Sequence, residues 1–480
     1  MPASPTNPRA FLRDANSSMT QLSQPPYLPL PAGEIGLLTD LYELTMAQSY
    51  FAEGISGEAT FSLYVREYPP DRGYLIAAGI DDALHCLQAL SFDEDSVDYL
   101  RGTGIFTADF LDHLRNLRFA GNVRAMPEGS LFFPHEPVLE VTGPIISAQL
   151  AETIVMNQVQ YQVLLATKSA RCVQAAQGRP IADFAARRTH GTEASLKMAR
   201  ASYIAGFDAT SNVLAARRYG IPPTGTMAHS YITSFDAEID AFRAYSRMFP
   251  DRSILLLDTY DTVNAARAAV TVAHEMERDG QRLTGVRLDS GDFDALSRQV
   301  RAILDDAGLG NVRIVASGGL DEYAIERLVS GGAPIDMFGV GTRVGVSADA
   351  PSCDMVYKMV SYNGRPVMKL SEGKESLPAA KQVFRQRDPD GMMSADVIGL
   401  STEADVSGEP LLALAMQDGR RVIPPGEIGD ARQRVADGLS RLPWAHQKLR
   451  QPEHFPVSIS DDLQRLESQI RGQLSAALAS

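Results

Sequence analysis

The chain has 480 residues, 44% of them apolar and 22% charged, and carries a net charge of −14 at pH 7. This length exceeds one small domain and implies two or three units, or one large α/β barrel with additions, around a sizeable apolar core. No apolar run reaches the roughly 18 residues that a membrane-spanning helix needs, and the acidic balance argues against a broad nucleic-acid surface, which requires clustered Lys and Arg.

The first 32 residues hold seven prolines and no continuous apolar stretch, so they do not read as a secretory signal. A disordered or loosely draped arm is expected over residues 1–32, with a cytoplasmic location following by default. From residue 33 to 150 the pattern predicts an α+β segment. "LLTDLYELTMAQSY" (37–50) places Tyr42 at a helix start, "ATFSLYVREYP" alternates as an antiparallel strand, and "GNVRAMPEGSLFFPHEPVLEVTGP" reads as short strands broken by Pro and Gly turns.

A different rhythm fills residues 151–345. "PIADF" (180–184), "SILLLD" (253–258), "TGVRLD" (284–289), "VRIVAS" (312–317) and "IDMFGV" (335–340) read as buried strands, and helical spacing separates the later ones. Repeated βαβ units demand a parallel sheet, so the expected class is α/β, with an irregular or incomplete α/β barrel over these residues. Past the barrel, "VYKMVSYNGRPVMKL" carries Asn363-Gly364 as a hairpin turn. The stripe Leu463, Leu466, Ile470 and Leu474 marks a closing amphipathic helix. Residues 346–480 are thus expected to complete, with 33–150, a second α+β domain built from both ends of the chain.

Polar residues cluster where the barrel strands end. Asp258, Asp289-Ser290, Ser317-Gly318-Gly319 and Gly339-Val340-Gly341-Thr342 each follow a strand, and in a barrel all such points lie on the carboxyl face. Helix capping alone also favours Asp, Ser and Gly there. The two glycine-rich turns suit an anion, because glycine lets backbone N–H groups come close to a phosphate. Arg187 and Arg188 follow a strand beside Phe184; paired guanidiniums suit phosphate recognition, with an exposed basic turn or an interdomain ion pair as the plain alternative. Arg287 and Asp289 stand two apart on one strand and project together, either towards a ligand or simply as a local ion pair.

His229, in "GTMAHSY" (225–231), has no metal-ligand companions and no nucleophile-elbow serine, and taken alone it reads as a capping or core histidine. No P-loop is present. Cys86, Cys172 and Cys353 lie far apart and form neither a disulfide framework nor a zinc module.

Taken in order, six segments resemble the nicotinate phosphoribosyltransferase family. They are "LLTDLYELTMAQSY", "DFAARRTHGTEASLKMARASYIAGFDATSNVLAARRYGIPPTGTMAHSYI", "LLDTYDTV", "GVRLDSGDF", "SGGLDEYAI" and "FGVGTRVGVSADAP". The resemblance implies transfer of a phosphoribosyl group from 5-phosphoribosyl 1-pyrophosphate to nicotinate, coupled to ATP hydrolysis through a phosphorylated histidine, with Mg²⁺ required. By that resemblance His229 is the phosphohistidine and Asp289 the carboxylate near the ribose and Mg²⁺. Tyr42 is the aromatic packing on the pyridine ring from the other subunit of a homodimer, and Phe184 is the opposite stacking face. Thr226 and Arg287 are nicotinate contacts, Arg187 serves the phosphates, and Gly318, Gly319, Gly341 and Thr342 cradle the 5-phosphate. The family usually has Gly where this chain has Ala185, which puts the local loop geometry in question if φ is positive there. Nicotinamide- or quinolinate-using transferases and a non-catalytic sugar-phosphate-binding regulator are the rival readings; "GTMAHS" speaks against the quinolinate enzymes.

Overall fold

The computed structural model describes residues 30–371 and 375–479, with side chains described up to 476. The arm expected over residues 1–32 therefore lies outside the described residues except for its last three. Among the described residues two compact units emerge, one over Lys168–Asp349 and one that joins 30–167 to the described part of 350–479. Their limits fall at 167/168 and 349/350, where the sequence pattern had suggested 150/151 and 345/346. The first limit lies inside one continuous helix, Glu152–Ala176, which no loop signal in the sequence divides. No helix among the described residues is long and apolar enough to cross a membrane.

The two-ended unit is built on a seven-stranded sheet. Its central strand, Glu58–Val65, runs antiparallel to Met355–Tyr362 on one side and to Leu139–Pro144 on the other, so the N- and C-terminal segments share one sheet. Every residue of that strand after Glu58 is buried, although its sequence alternates. The polar positions are satisfied internally: Ser62 Oγ donates to Glu140 at 2.7 Å, and the Thr60 and Thr142 hydroxyls meet at 3.0 Å. The expected hairpin turns at Asn363 (φ 49°) and Gly364 (φ 72°), both left-handed as a tight hairpin requires. Three helices at Ile80–Ala89, Glu94–Gly102 and Ala108–Asn116 were not anticipated from the sequence. Local chemistry accounts for two of them, since Asp93 accepts from Ser96 N and Thr107 from Phe110 N, a side-chain cap in each case. Along the closing helix Asp461–Ala479, Leu463 and Ile470 are buried, on the face the sequence pattern marked.

The Lys168–Asp349 unit is the α/β part. Helix α1 (Glu152–Ala176) enters it, followed by β1 (Ile181–Asp183), α2 (Thr192–Ile204), β2 (Ala209–Thr210), α3 (Val213–Tyr219), α4 (His229–Thr233) and α5 (Glu238–Met248). Then come β3 (Ile254–Leu256), α6 (Thr262–Arg278), β4 (Gly285–Leu288), α7 (Phe293–Asp306), β5 (Arg313–Ser317), α8 (Glu322–Ser330), β6 (Met337–Val340) and α9 (Thr342–Gly345). The six strands form one sheet in the order β2-β1-β6-β5-β4-β3, every pair parallel. Strands β2 and β3 stay unpaired with one another, so the fold is mixed α/β with an open parallel sheet, compatible with an irregular barrel. Ala182, Ala209, Ile254, Val315 and Met337 form an apolar cluster between the strands, and Phe184 packs on it. Because all six strands point the same way, their carboxyl ends and the turns that follow share one edge.

Candidate active site

The turn after β1 begins with a buried acid. Asp183 accepts from Ala185 N at 2.8 Å and from Thr210 Oγ1 at 2.7 Å, which ties the turn after β1 to β2. Burial pushes its carboxyl up to about 6, against the lowering effect of those two hydrogen bonds. Phe184 continues from this anchor, its N donating to Val340 O at 2.7 Å. Its ring lies against Gly339, where a Cβ would come within 2.5 Å of ring carbons. Ala185, where the family resemblance leads one to expect Gly, is not among the residues with positive φ and is fully buried. Gly345 makes room for it, since a Cβ there would lie 2.8 Å from the Ala185 methyl. The turn therefore accepts alanine without backbone strain. Arg187 and Arg188 are exposed beyond it.

Arg287, in the middle of β4, donates from Nη1 to Thr226 Oγ1 at 2.8 Å and from Nη2 to Met227 O at 3.0 Å. This fork fixes the segment leading to His229. Burial pushes the Arg287 guanidinium below its ordinary value, while the Asp289 and Asp258 carboxylates oppose that shift and Arg187 adds to it. Charged side chains from the turns after β1, β3 and β4 thus act on this one strand arginine. Nε of Arg287 is buried without a hydrogen-bond partner among the described residues.

His229 opens the short helix α4. Its Nδ1 lies 3.1 Å from Thr259 Oγ1, and its Nε2 is 3.9 Å from Asp289 Oδ2, with the side chain 45% exposed. Thr259 engages one ring nitrogen and so leaves the other open, towards the carboxylate. Asp289 also accepts from Ser317 Oγ, and Ser290 Oγ donates to Asp258 Oδ2 at 2.5 Å. The second Asp258 oxygen is buried and has no hydrogen-bond partner among the described residues.

The two glycine turns lie side by side, because Ser317 of β5 pairs with Gly339 of β6. Gly318 (φ +101°) sits so close to the Asp289 carbonyl that a Cβ would come within 1.9 Å of its oxygen, and Gly319 follows at φ +64°. Gly341 and the exposed Thr342 form the neighbouring turn.

One cluster therefore gathers His229, Asp289, Thr226, Arg287, Arg187, Phe184 and the glycines Gly318, Gly319 and Gly341, with Thr342 beside them. Tyr42 belongs to the other unit, where it is the second residue of helix Leu41–Ala52 and is 45% exposed. Asp183, Asp258 and Thr259 take part in the cluster although the sequence reading did not assign them to the site. Asp258 carried a signal as a strand-end acid, whereas Thr259 and Asp183 have only their place beside strand ends.

No group of three or more His, Cys, Asp or Glu suited to a metal ion occurs among the described residues. A hard divalent cation that reaches the protein through one or two carboxylates and the oxygens of a phosphate ligand needs no such group. Asp289 and the half-satisfied Asp258 fit that donor set.

Fold and cluster define a mixed α/β protein with its polar groups gathered at the carboxyl ends of a parallel sheet, beside two glycine-rich turns. Three family models match in succession: the nicotinate phosphoribosyltransferase N-terminal domain over residues 37–160, the nicotinate phosphoribosyltransferase family over 180–387, and its C-terminal domain over 404–467. Nicotinate phosphoribosyltransferase pncB2 of Mycobacterium tuberculosis is 48% identical over 429 residues, covering 88% of this chain and 91% of that relative. The Bacillus subtilis nicotinate phosphoribosyltransferase is 36% identical, with coverage of 89% and 93%. Among solved structures, human nicotinic acid phosphoribosyltransferase superposes with a TM-score of 0.82 at 31% identity, over 90% of this chain and 99% of that one. The chain belongs to the nicotinate phosphoribosyltransferase family.

Proposed function

We propose that the chain transfers the 5-phosphoribosyl group of 5-phosphoribosyl 1-pyrophosphate to nicotinate, giving nicotinate mononucleotide and pyrophosphate. ATP hydrolysis is coupled to the transfer through phosphorylation of His229, as an ATP-dependent ligase of NAD salvage. Family membership supports the reading, and the observation that carries the acid substrate is Arg287, a largely buried cation held by Thr226 and Met227. Such a cation attracts a carboxylate far more strongly than an exposed one does.

In the transfer step the pyridine nitrogen brings its own electron pair to C1 of the ribose. The C1–O bond to pyrophosphate breaks and its electrons leave with that group, so no proton has to move. The protein's part is alignment and charge. Phe184 supports one face of the ring, and Tyr42 of a second copy would cover the other in a homodimer with shared sites. The Gly318-Gly319 and Gly341-Thr342 turns hold the 5-phosphate, and Arg187 serves the phosphates. Mg²⁺ would be held by Asp289 with Asp258, and when bound it supplies charge neutralisation to the pyrophosphate.

In the coupled step Nε2 of His229 attacks the γ-phosphorus of ATP, an N–P bond forms, and the P–O bond to ADP breaks. The attacking tautomer is the one in which Nδ1–H donates to Thr259 Oγ1 and Nε2 keeps its lone pair. Hydrolysis later returns phosphate and free histidine. Phosphate on Nε2 would add negative charge beside Asp289 and draw Mg²⁺ into place, which is how ATP raises substrate affinity. His229→Ala is expected to lose the ATP effect on KM while retaining transfer at high substrate concentration. Loss of all transfer by a folded variant, or an undiminished ATP effect, would overturn this role.

A further inference from the structure

The two phosphate-holding turns are glycine backbones, and their N–H groups can share one phosphate only if the gap between them is fixed. Arg343 follows Thr342 directly, and Asp321 follows Gly319 by two residues. Arg343 Nη1 donates to Asp321 Oδ2 at 2.6 Å, bridging the turn after β6 to the turn after β5. The other oxygen of Asp321 accepts from Ala324 N at 2.9 Å and caps α8. Exposure is uneven, 55% for the arginine side chain and 10% for the aspartate, so the acid is the fixed half of the pair.

A buried network continues below. Lys168 Nζ, 1% exposed, donates to Glu322 Oε2 at 2.8 Å and also to Asp349, just beyond α9. Arg171 Nε reaches the other Glu322 oxygen at 3.1 Å. One ammonium on α1 therefore holds the start of α8, where the turn after β5 ends, and the segment leaving α9, the short helix that follows the turn after β6.

We propose that Arg343 and Asp321 are positioning residues that set the spacing of the two phosphate turns, with the Lys168–Glu322–Asp349 network as their base. This rests on the reading that those turns hold the 5-phosphate of the phosphoribosyl donor. The clasp acts on affinity for the donor and leaves the chemistry of a saturated site unchanged, because neither residue needs to touch the reacting atoms.

The test compares Asp321→Asn, Arg343→Gln, their double variant and Arg343→Lys in full-length protein, with 5-phosphoribosyl 1-pyrophosphate as the varied substrate. Asn keeps the helix cap while removing the charge. Each single variant is expected to raise KM for the donor about two- to fivefold, the range for a partly exposed ion pair, with kcat unchanged. The double variant should be no worse than either single one, and Arg343→Lys should recover part of the loss. Additive effects, a fall in kcat with KM unmoved, or a response to Arg343→Gln without one to Asp321→Asn would overturn the proposal; the last would make Arg343 a direct phosphate contact. A working wild type with unmoved variants sinks this inference alone, whereas a wild type that forms no nicotinate mononucleotide sinks the functional reading and the inference with it.

Discussion

Gly318→Ala tests how tightly the phosphate turn is built onto the carboxylate turn. At φ +101° an L-residue is strained, by about 1–2 kcal/mol or more. The added Cβ would also lie 1.9 Å from the Asp289 carbonyl oxygen, and that neighbour is backbone, which cannot rotate away. Restoring an ordinary contact of about 3.4 Å requires the two turns to part by more than about 1 Å, a displacement that can cost about 100-fold in rate when it misaligns reacting groups. Gly319→Ala is the internal control, since its φ is +64° but nothing lies within 4 Å of its Cβ, so it carries only the conformational cost. Steady-state kinetics on both variants, with thermal unfolding alongside, should show kcat/KM for the phosphoribosyl donor falling about 100-fold for Gly318→Ala and by about a tenth of that or less for Gly319→Ala. The unfolding midpoint of Gly318→Ala should drop by several degrees, at roughly 2–4 °C per kcal/mol for a unit of this size. Equal losses in the two variants, or a Gly318→Ala enzyme with the wild-type kcat/KM, would refute the contact argument.

Three further outcomes follow from the same site. Asp183 has its carboxyl raised to about 6, so the folded state holds that proton more firmly than the unfolded one. Its contribution is fully present below about pH 4 and is lost as pH rises through about 6, a change on the order of 2–3 kcal/mol. Denaturant unfolding of wild type and Asp183→Asn should therefore show the wild type's relative advantage shrinking between pH 4 and pH 7; a pH-independent difference would contradict the burial argument. Gly339→Ala would drive a methyl to within 2.5 Å of the Phe184 ring, and KM for nicotinate should rise more than KM for the phosphoribosyl donor. Thr259→Val removes the partner of His229 Nδ1, so ATP should lose most of its effect on KM while ATP-independent transfer persists, measured as product formed with and without ATP.

Much of the α/β unit was legible because parallel strands buried on both faces leave continuous apolar runs, as in "SILLLD" and the "IVA" of "VRIVAS". Their turns were legible for the same reason: polar residues and glycines interrupt those runs abruptly. The helices between Ile80 and Asn116 were not, because their amphipathic stripes are short and lie between segments rich in strand formers. Strand Glu58–Val65 was read as an antiparallel strand, but its full burial depends on Glu140 and Thr142, distant in sequence. The same limit applies within the site. Arg287 and Asp289 share a strand and could be paired from spacing, whereas the Thr259 contact to His229 and the Asp183 contact to Thr210 join residues 30 and 27 apart. Only folding brings such partners together. Residue types at strand ends therefore pointed to the region, and the hydrogen bonds that orient them came from the tertiary structure.

The most direct measurement offers the wild-type protein nicotinate and nicotinamide together, at equal concentration, with 5-phosphoribosyl 1-pyrophosphate, Mg²⁺ and ATP, and identifies the mononucleotide by mass. Nicotinate mononucleotide as the dominant product, with ADP released alongside, is the predicted result. A product formed chiefly from nicotinamide, or none from either acceptor, would contradict it.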